Sequence, residues 1–226
     1  MKIVLESINT KEIGVYPQIN LDVDSFKSNT QNLVLPNSVL NKKIPAGIGL
    51  PSFIVAPKAI LTDYLIAPAL TFPKQLIISK KLSSILQSFK GLEFDILEVN
   101  VKSQNGEKVV YDFLNYVEMI PDAAIDLPSS IVKVYDPSTF NYKQVEVSTA
   151  KEFKQLSGKD LFNLVFNEDY VNGLHHFIAP LAFKWIISDE LAHELSKNKI
   201  SGLDIYHFDE KSDITINGVR KLKQFF

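Results

Sequence analysis

The sequence predicts an α+β protein with a mainly antiparallel sheet, and three observations carry that expectation. A strand–Ser–helix–Gly–strand pattern occurs twice, Asn105-Gly106 sits between two β-rich runs, and the prolines crowd into the first third of the chain. Each observation has a local physical reason.

In the first copy Gln75–Ile78 is a short apolar strand. Ser79 fits a helix N-cap, where its hydroxyl accepts from a first-turn amide. Leu82, Ile85, Leu86 and Phe89 follow as an amphipathic helical stripe. Gly91 is placed to close the helix in a left-handed conformation. Leu92–Lys102 and Lys108–Met119 then read as strands of a hairpin, because Asn-Gly suits the tight turn between them. The apolar alternation in the first of these strands slips between Ile96 and Leu97. Either a β-bulge restores the phase, or both faces of the strand are covered there.

The second copy repeats the first. Ile186-Ile187-Ser188-Asp189-Glu190-Leu191 matches Ile77-Ile78-Ser79-Lys80-Lys81-Leu82, and Leu195 matches Leu86. Gly202-Leu203-Asp204-Ile205 aligns with Gly91-Leu92-Glu93-Phe94 if the second copy holds a two-residue insertion. Either two segments converged on a common grammar, or a scaffold was duplicated. The copies differ at Lys80-Lys81 against Asp189-Glu190, which makes that difference a place to look for specificity.

Between the copies, Pro121–Ser130 is a turn-rich link. Ile131–Tyr135 and Tyr142–Val147 read as strands joined by Asp136-Pro137-Ser138, and residues 159–166 as a strand or helical turn. Residues 1–73 hold seven of the 11 prolines. Each removes a backbone donor and turns its predecessor away from helix. This Pro-rich segment is expected to form one strand, Lys2–Leu5, then irregular chain with room for a short helix at 58–66. It is expected to pack on a main body of residues 74–226, making one compact unit.

Composition excludes several classes. The 226 residues are 46% hydrophobic and 22% charged, a globular balance with length enough for a core. The net charge is −2, and Arg220 is the only arginine. Neither a basic field nor bidentate guanidinium grips are available for nucleic acid. There is no cysteine, which removes disulfides, zinc–thiolate sites and thiol catalysis. Ile3–Leu5 is too short for a signal-peptide core, and Pro57, Lys58, Asp63, Pro68, Pro180 and Lys184 interrupt the most apolar windows. Cytoplasmic residence without membrane contact is the expectation.

Catalytic motifs do not assemble in the sequence. Glu190, His193 and Glu194 share one helical face, but the matching residues Lys81, Ser84 and Ile85 could not ligate a metal. His175-His176 has no spaced partner, and His207 reads as a strand-end residue. Ser157-Gly158-Lys159 lacks the upstream glycine of a phosphate loop. Gly47-Ile48-Gly49 lacks the third glycine of a dinucleotide fingerprint. Ser79 and Ser188 read as caps rather than paired nucleophiles, and Trp185 as core or interface anchor. No catalytic residue, metal or cofactor is nominated.

Several runs together resemble a known family: P-K-x-L-I-I-S-x-x-L (73–82), G-L-E-F (91–94), Y-x-F-L-N-Y-V-E-x-I-P-D-A-A-I-D-L-x-x-S (111–130), I-I-S-D-E-L-x-x-x-L (186–195) and G-L-D-I-Y (202–206). They are similar to immunity protein family eleven, whose members look like antidotes encoded beside bacterial polymorphic toxins. Asp126 with Ser129 or Ser130 fits that family's aspartate-then-serine feature. The resemblance implies cytoplasmic, stoichiometric binding of a cognate toxin domain by occlusion, without catalysis. Against a basic toxin site, the acidic pairs Asp189-Glu190 and Asp209-Glu210 are the candidate partner-binding residues. An enzyme of unrecognised class and a non-catalytic assembly adaptor are the alternatives.

Overall fold

A computed structural model describes residues 1–27, 33–162, 164–179, 181 and 184–207. The strands in chain order are β1 (Lys2–Glu6), β2 (Ile19–Leu21), β3 (Phe53–Val55), β4 (Tyr64–Leu65), β5 (Gln75–Ile78), β6 (Phe94–Lys102), β7 (Lys108–Tyr116), β8 (Ile131–Asp136), β9 (Asn141–Val145), β10 (Lys159–Phe162), β11 (His176–Ala179), β12 (Lys184–Ile187) and β13 (Leu203–His207). The helices are α1 (Thr10–Ile13), α2 (Val23–Lys27), α3 (Lys80–Ser88), α4 (Ala150–Gln155), α5 (Glu168–Val171) and α6 (Asp189–Lys197). The strands make three sheets, ordered β2-β3-β6-β7-β5-β4, β11-β12-β1-β13 and β10-β8-β9. Every pairing between these described strands is antiparallel except β3 with β6, as an α+β fold with dominant antiparallel sheet requires.

The two copies occupy equivalent places. In the first, β5 and β6 flank an antiparallel β7, with β4 outside β5. In the second, β12 and β13 flank an antiparallel β1, with β11 outside β12. Each is a split strand–helix–strand unit. The middle strand comes from a hairpin in one and from the far end of the chain in the other. Register makes the match residue by residue. Ile78 faces Asp112 where Ile187 faces Lys2, and Leu76 faces Leu114 where Trp185 faces Val4. Phe94 faces Tyr116 where Leu203 faces Glu6. One constant offset therefore joins Ser79 to Ser188 and Phe94 to Leu203. No insertion is needed, and the alignment of Gly91 with Gly202 is corrected.

Three cores follow from the layers. The inner faces of both large sheets share one core with α3 and α6, including Leu76, Ile78, Leu82, Leu86, Trp185, Ile187, Leu191 and Leu195. The other face of the six-stranded sheet, through Ile19, Leu65, Ile77, Val99, Val101 and Phe113, is covered by Val39 and Leu50. The other face of the four-stranded sheet, through Ile3, Phe177 and Ile186, is covered by Ile125, Leu127, Val132, Phe153 and Val171. Apolar side chains on both strand faces are what two-sided burial demands.

That layering resolves the slip in β6. Its pairing with β7 is unbroken from Phe94 opposite Tyr116 to Lys102 opposite Lys108, so there is no bulge. Phe94 packs on the core shared with the helices, while Leu97, Val99 and Val101 enter the opposite one. The short helix at 58–66 is also replaced: Tyr64 and Leu65 form β4 against Ile78 and Ile77. The open edge of β5 supplies backbone partners there, which local propensity does not register.

Candidate partner-binding surface

The two serines are caps. Ser79 Oγ accepts from Leu82 N at 3.1 Å, and Ser188 Oγ accepts from Leu191 N at 3.1 Å. Each is also held by the residue before its outer strand. The Ser79 hydroxyl donates to Asp63 Oδ1 at 2.6 Å, and Ser188 Oγ lies 3.0 Å from His175 Nδ1. Asp63 Oδ2 accepts from Ser201 N at 3.0 Å and from its hydroxyl at 3.1 Å, which ties the first unit to the segment leaving α6.

Gly91 does not have a positive φ, so it does not close α3 in the way its position after the helix predicts. A Cβ there would lie 2.0 Å from the His176 ring. The glycine is needed for close approach of the second unit. Helix α6 is turned by Lys199 at φ 51°, and Gly202 follows at φ 87°, where a Cβ would meet Tyr64 O at 2.4 Å. Each unit thus leaves its helix through a glycine pressed against the other unit.

His176 is fully buried at this joint. Its Nε2 lies 3.2 Å from Leu86 O, which only accepts, so Nε2 carries the proton. Nδ1 then accepts from the Tyr116 hydroxyl at 2.7 Å. Burial lowers its pKa from 6.5 to about 4, keeping the ring neutral. Burial also pushes the Tyr116 phenol well above its ordinary value. Both ring nitrogens are engaged by the fold itself. Trp185 lies in the core at 0% exposure.

The acidic candidates separate. Asp189 and Glu190 open α6 with side chains 67% and 73% exposed. Asp189 is bonded to Lys2 at 2.9 Å and to the Met1 amino group at 3.2 Å. The Lys2 bond holds its carboxyl below the usual range. Glu190 Oε2 is 3.7 Å from His175 Nδ1. Asp209 and Glu210 lie outside the described residues. In the first unit Lys80 stands where Asp189 does, bonded to Asp112 at 2.6 Å and Glu98 at 2.5 Å. Asp112 and Lys2 occupy equivalent register positions. The same latch is therefore built twice with its charges exchanged.

Other motifs settle into structural places. Lys159 Nζ donates to Lys154 O at 3.0 Å and Leu156 O at 2.8 Å, capping the end of α4. On α6, Glu194 accepts from Asn198 Nδ2 at 2.7 Å. No group of three His, Cys, Asp or Glu among the described residues is arranged to hold a metal ion. Asp126 and Ser130 brace the 121–130 link: the Ser130 hydroxyl donates to Asp126 O at 2.7 Å and accepts from Val165 N at 2.9 Å. An open depression of roughly 670 Å³ lies beside them, lined by Asp122, Ile125, Asp126, Ser148 and Asn167 among others.

The hairpin of β8 and β9 forms where the sequence predicts it, with strands Ile131–Asp136 and Asn141–Val145 paired antiparallel. Asp136-Pro137-Ser138 predicts its turn but gives no sign of what the turn presents. Phe140 stands at its tip, 80% exposed, at φ 55°. The sequence signal was an aromatic residue inside a turn, where glycine or asparagine is the usual occupant.

Two interlocked split units define an α+β protein with no helix, among the described residues, long and apolar enough to cross a membrane. A family model described as "Immunity protein family (Imm11)" matches residues 8–210. The chain belongs to that family of immunity proteins. No curated protein matches the sequence.

Proposed function

We propose that this chain is a cytoplasmic immunity protein that binds a cognate secreted toxin domain and blocks it by occlusion, without catalysis. The observation that carries the reading is the family match across residues 8–210. An antidote needs a rigid surface rather than a reaction centre, and interlocked units with both serines engaged as caps suit that need. Asp189 is already matched by Lys2 and the Met1 amino group, so Glu190 and the acidic pair Asp209-Glu210 are the residues that would steer a basic toxin site by their field. Steering raises association rate more than affinity.

The test is co-expression with the toxin-bearing product of the adjacent gene, scored by cell survival and by co-purification. Survival with a stoichiometric complex supports the reading; failure of both overturns it. Reversing the charge of Glu190, Asp209 and Glu210 should slow association about tenfold at low salt and flatten its salt dependence. Unchanged rates would remove the steering role and leave neutralisation standing.

A further inference from the structure

The β8–β9 hairpin presents a large apolar side chain that the fold does not use. Phe140 is the most exposed of the large apolar side chains described, at 80%. It is also the only aromatic residue among the four described non-glycine positions with positive φ, the others being Asn41, Lys58 and Lys199. A bulky side chain in that region is strained, and such strain persists only where the surroundings over-determine it.

The surroundings do so here. Asp136 Oδ1 accepts from Ser138 N at 3.0 Å and from the Ser138 hydroxyl at 2.6 Å. Asn141 Nδ2 donates to Thr139 O at 3.0 Å. Tyr135 and Tyr142 pair across the strands, edge to face, with centroids 5.5 Å apart. The tip is therefore braced on both sides of Phe140, and ordering it on contact costs little. Its charge is arranged to match. Asp136 Oδ2 pairs with Lys143 Nζ at 2.5 Å, and that bond with those from Ser138 holds the carboxyl well below the usual range. Asp136 and Lys143 neutralise each other on the hairpin that carries Phe140. The pair leaves no net charge at this end of the hairpin, so a charged surface would find no opposite field to meet there.

Resting on the reading of the chain as a toxin antidote, we propose that Phe140, carried at the tip of the β8–β9 hairpin, is the aromatic anchor that enters an apolar pocket of the toxin domain. Anchors of this kind set the dissociation rate. Steering from Glu190, Asp209 and Glu210 acts on association instead, so the two contributions separate kinetically.

The test measures binding of full-length wild type, Phe140→Asn and Phe140→Trp to the toxin domain of the adjacent gene. Asparagine tolerates the left-handed conformation. Phe140→Asn should therefore keep the wild-type melting temperature while weakening affinity at least about thirtyfold, mainly through faster dissociation. Phe140→Trp should retain binding. Wild-type affinity in Phe140→Asn overturns the anchor while the antidote reading stands. A clear drop in its melting temperature also overturns it, by showing that Phe140 packs within the fold. A wild-type chain that self-associates, and is made monomeric by Phe140→Asn, would assign the tip to a second copy instead. Failure of wild type itself to bind the toxin is a separate result, and it removes the antidote reading along with the anchor.

Discussion

His176 shows how one residue serves two units. It belongs to β11, yet it accepts from Tyr116 of β7 and donates to the last turn of α3. Gly91 exists to admit its ring. The neutral form is the one that fits, which makes stability depend on pH. The ring titrates at about 4 when folded, against an ordinary 6.5. Between those values the unfolded chain takes up the proton more readily than the folded one. Stability is thus whole above about pH 6.5 and falls as pH drops toward 4, by roughly 3 kcal/mol from this group. Denaturant titrations from pH 7 to pH 4 check it: wild type should lose more stability over that range than His176→Gln. Parallel losses would show that other groups govern the acid limb.

The exchanged latches belong to the scale of elements. Helix α3 begins with a lysine, which the helix dipole disfavours, and α6 with an aspartate, which it favours. The partners on the middle strands compensate: Asp112 in β7 and Lys2 in β1. The two are not equal in setting. The Asp112 side chain is 4% exposed and that of Asp189 is 67% exposed. Asp112→Asn should cost about 2 kcal/mol, because a charge-assisted bond is lost in a buried place. Asp189→Asn should cost less than about 1 kcal/mol, as exposed pairs do. Urea unfolding of both variants measures the contrast, and equal costs would mean that burial does not set the strength of the latch. At this scale much was legible in the sequence. Ser79, Ser188, the stripe from Leu82 to Leu86 and the Asn105-Gly106 hairpin each act through neighbours within one turn, so local chemistry sufficed. Strands β2, β3 and β4 were not legible, because sheet edges recruit them from a Pro-rich stretch. Gly91 was misread because its neighbour is His176, far along the chain. The acidic pair at the start of α6 was visible in the sequence, but the bond of Asp189 to Lys2 was not. Phe140 was hidden because exposure cannot be read from a turn.

The whole molecule is two split units sharing one core, with a cover on each outer face. The N-terminal stretch gives the six-stranded sheet three strands and covers its outer face through Val39 and Leu50, while residues 120–171 cover the four-stranded one. The second unit depends on β1, whose Val4 is fully buried between Trp185 and Ile205. Val4→Pro removes a ladder donor in a central strand. It should abolish the cooperative thermal transition, which calorimetry would detect; a transition kept within a few degrees of wild type would show that β1 is dispensable. The position of β1 also sets a timetable. During translation β1 emerges long before β12 and β13, and until those strands are made there is no slot for it to enter. The first unit can close on its own hairpin as soon as β7 appears, while the second must wait for nearly the whole described chain. Pairings this distant in sequence form slowly. Until then the apolar side chains of β1 are without their cover, so a newly made chain reaches its final surface only once β12 and β13 have been made.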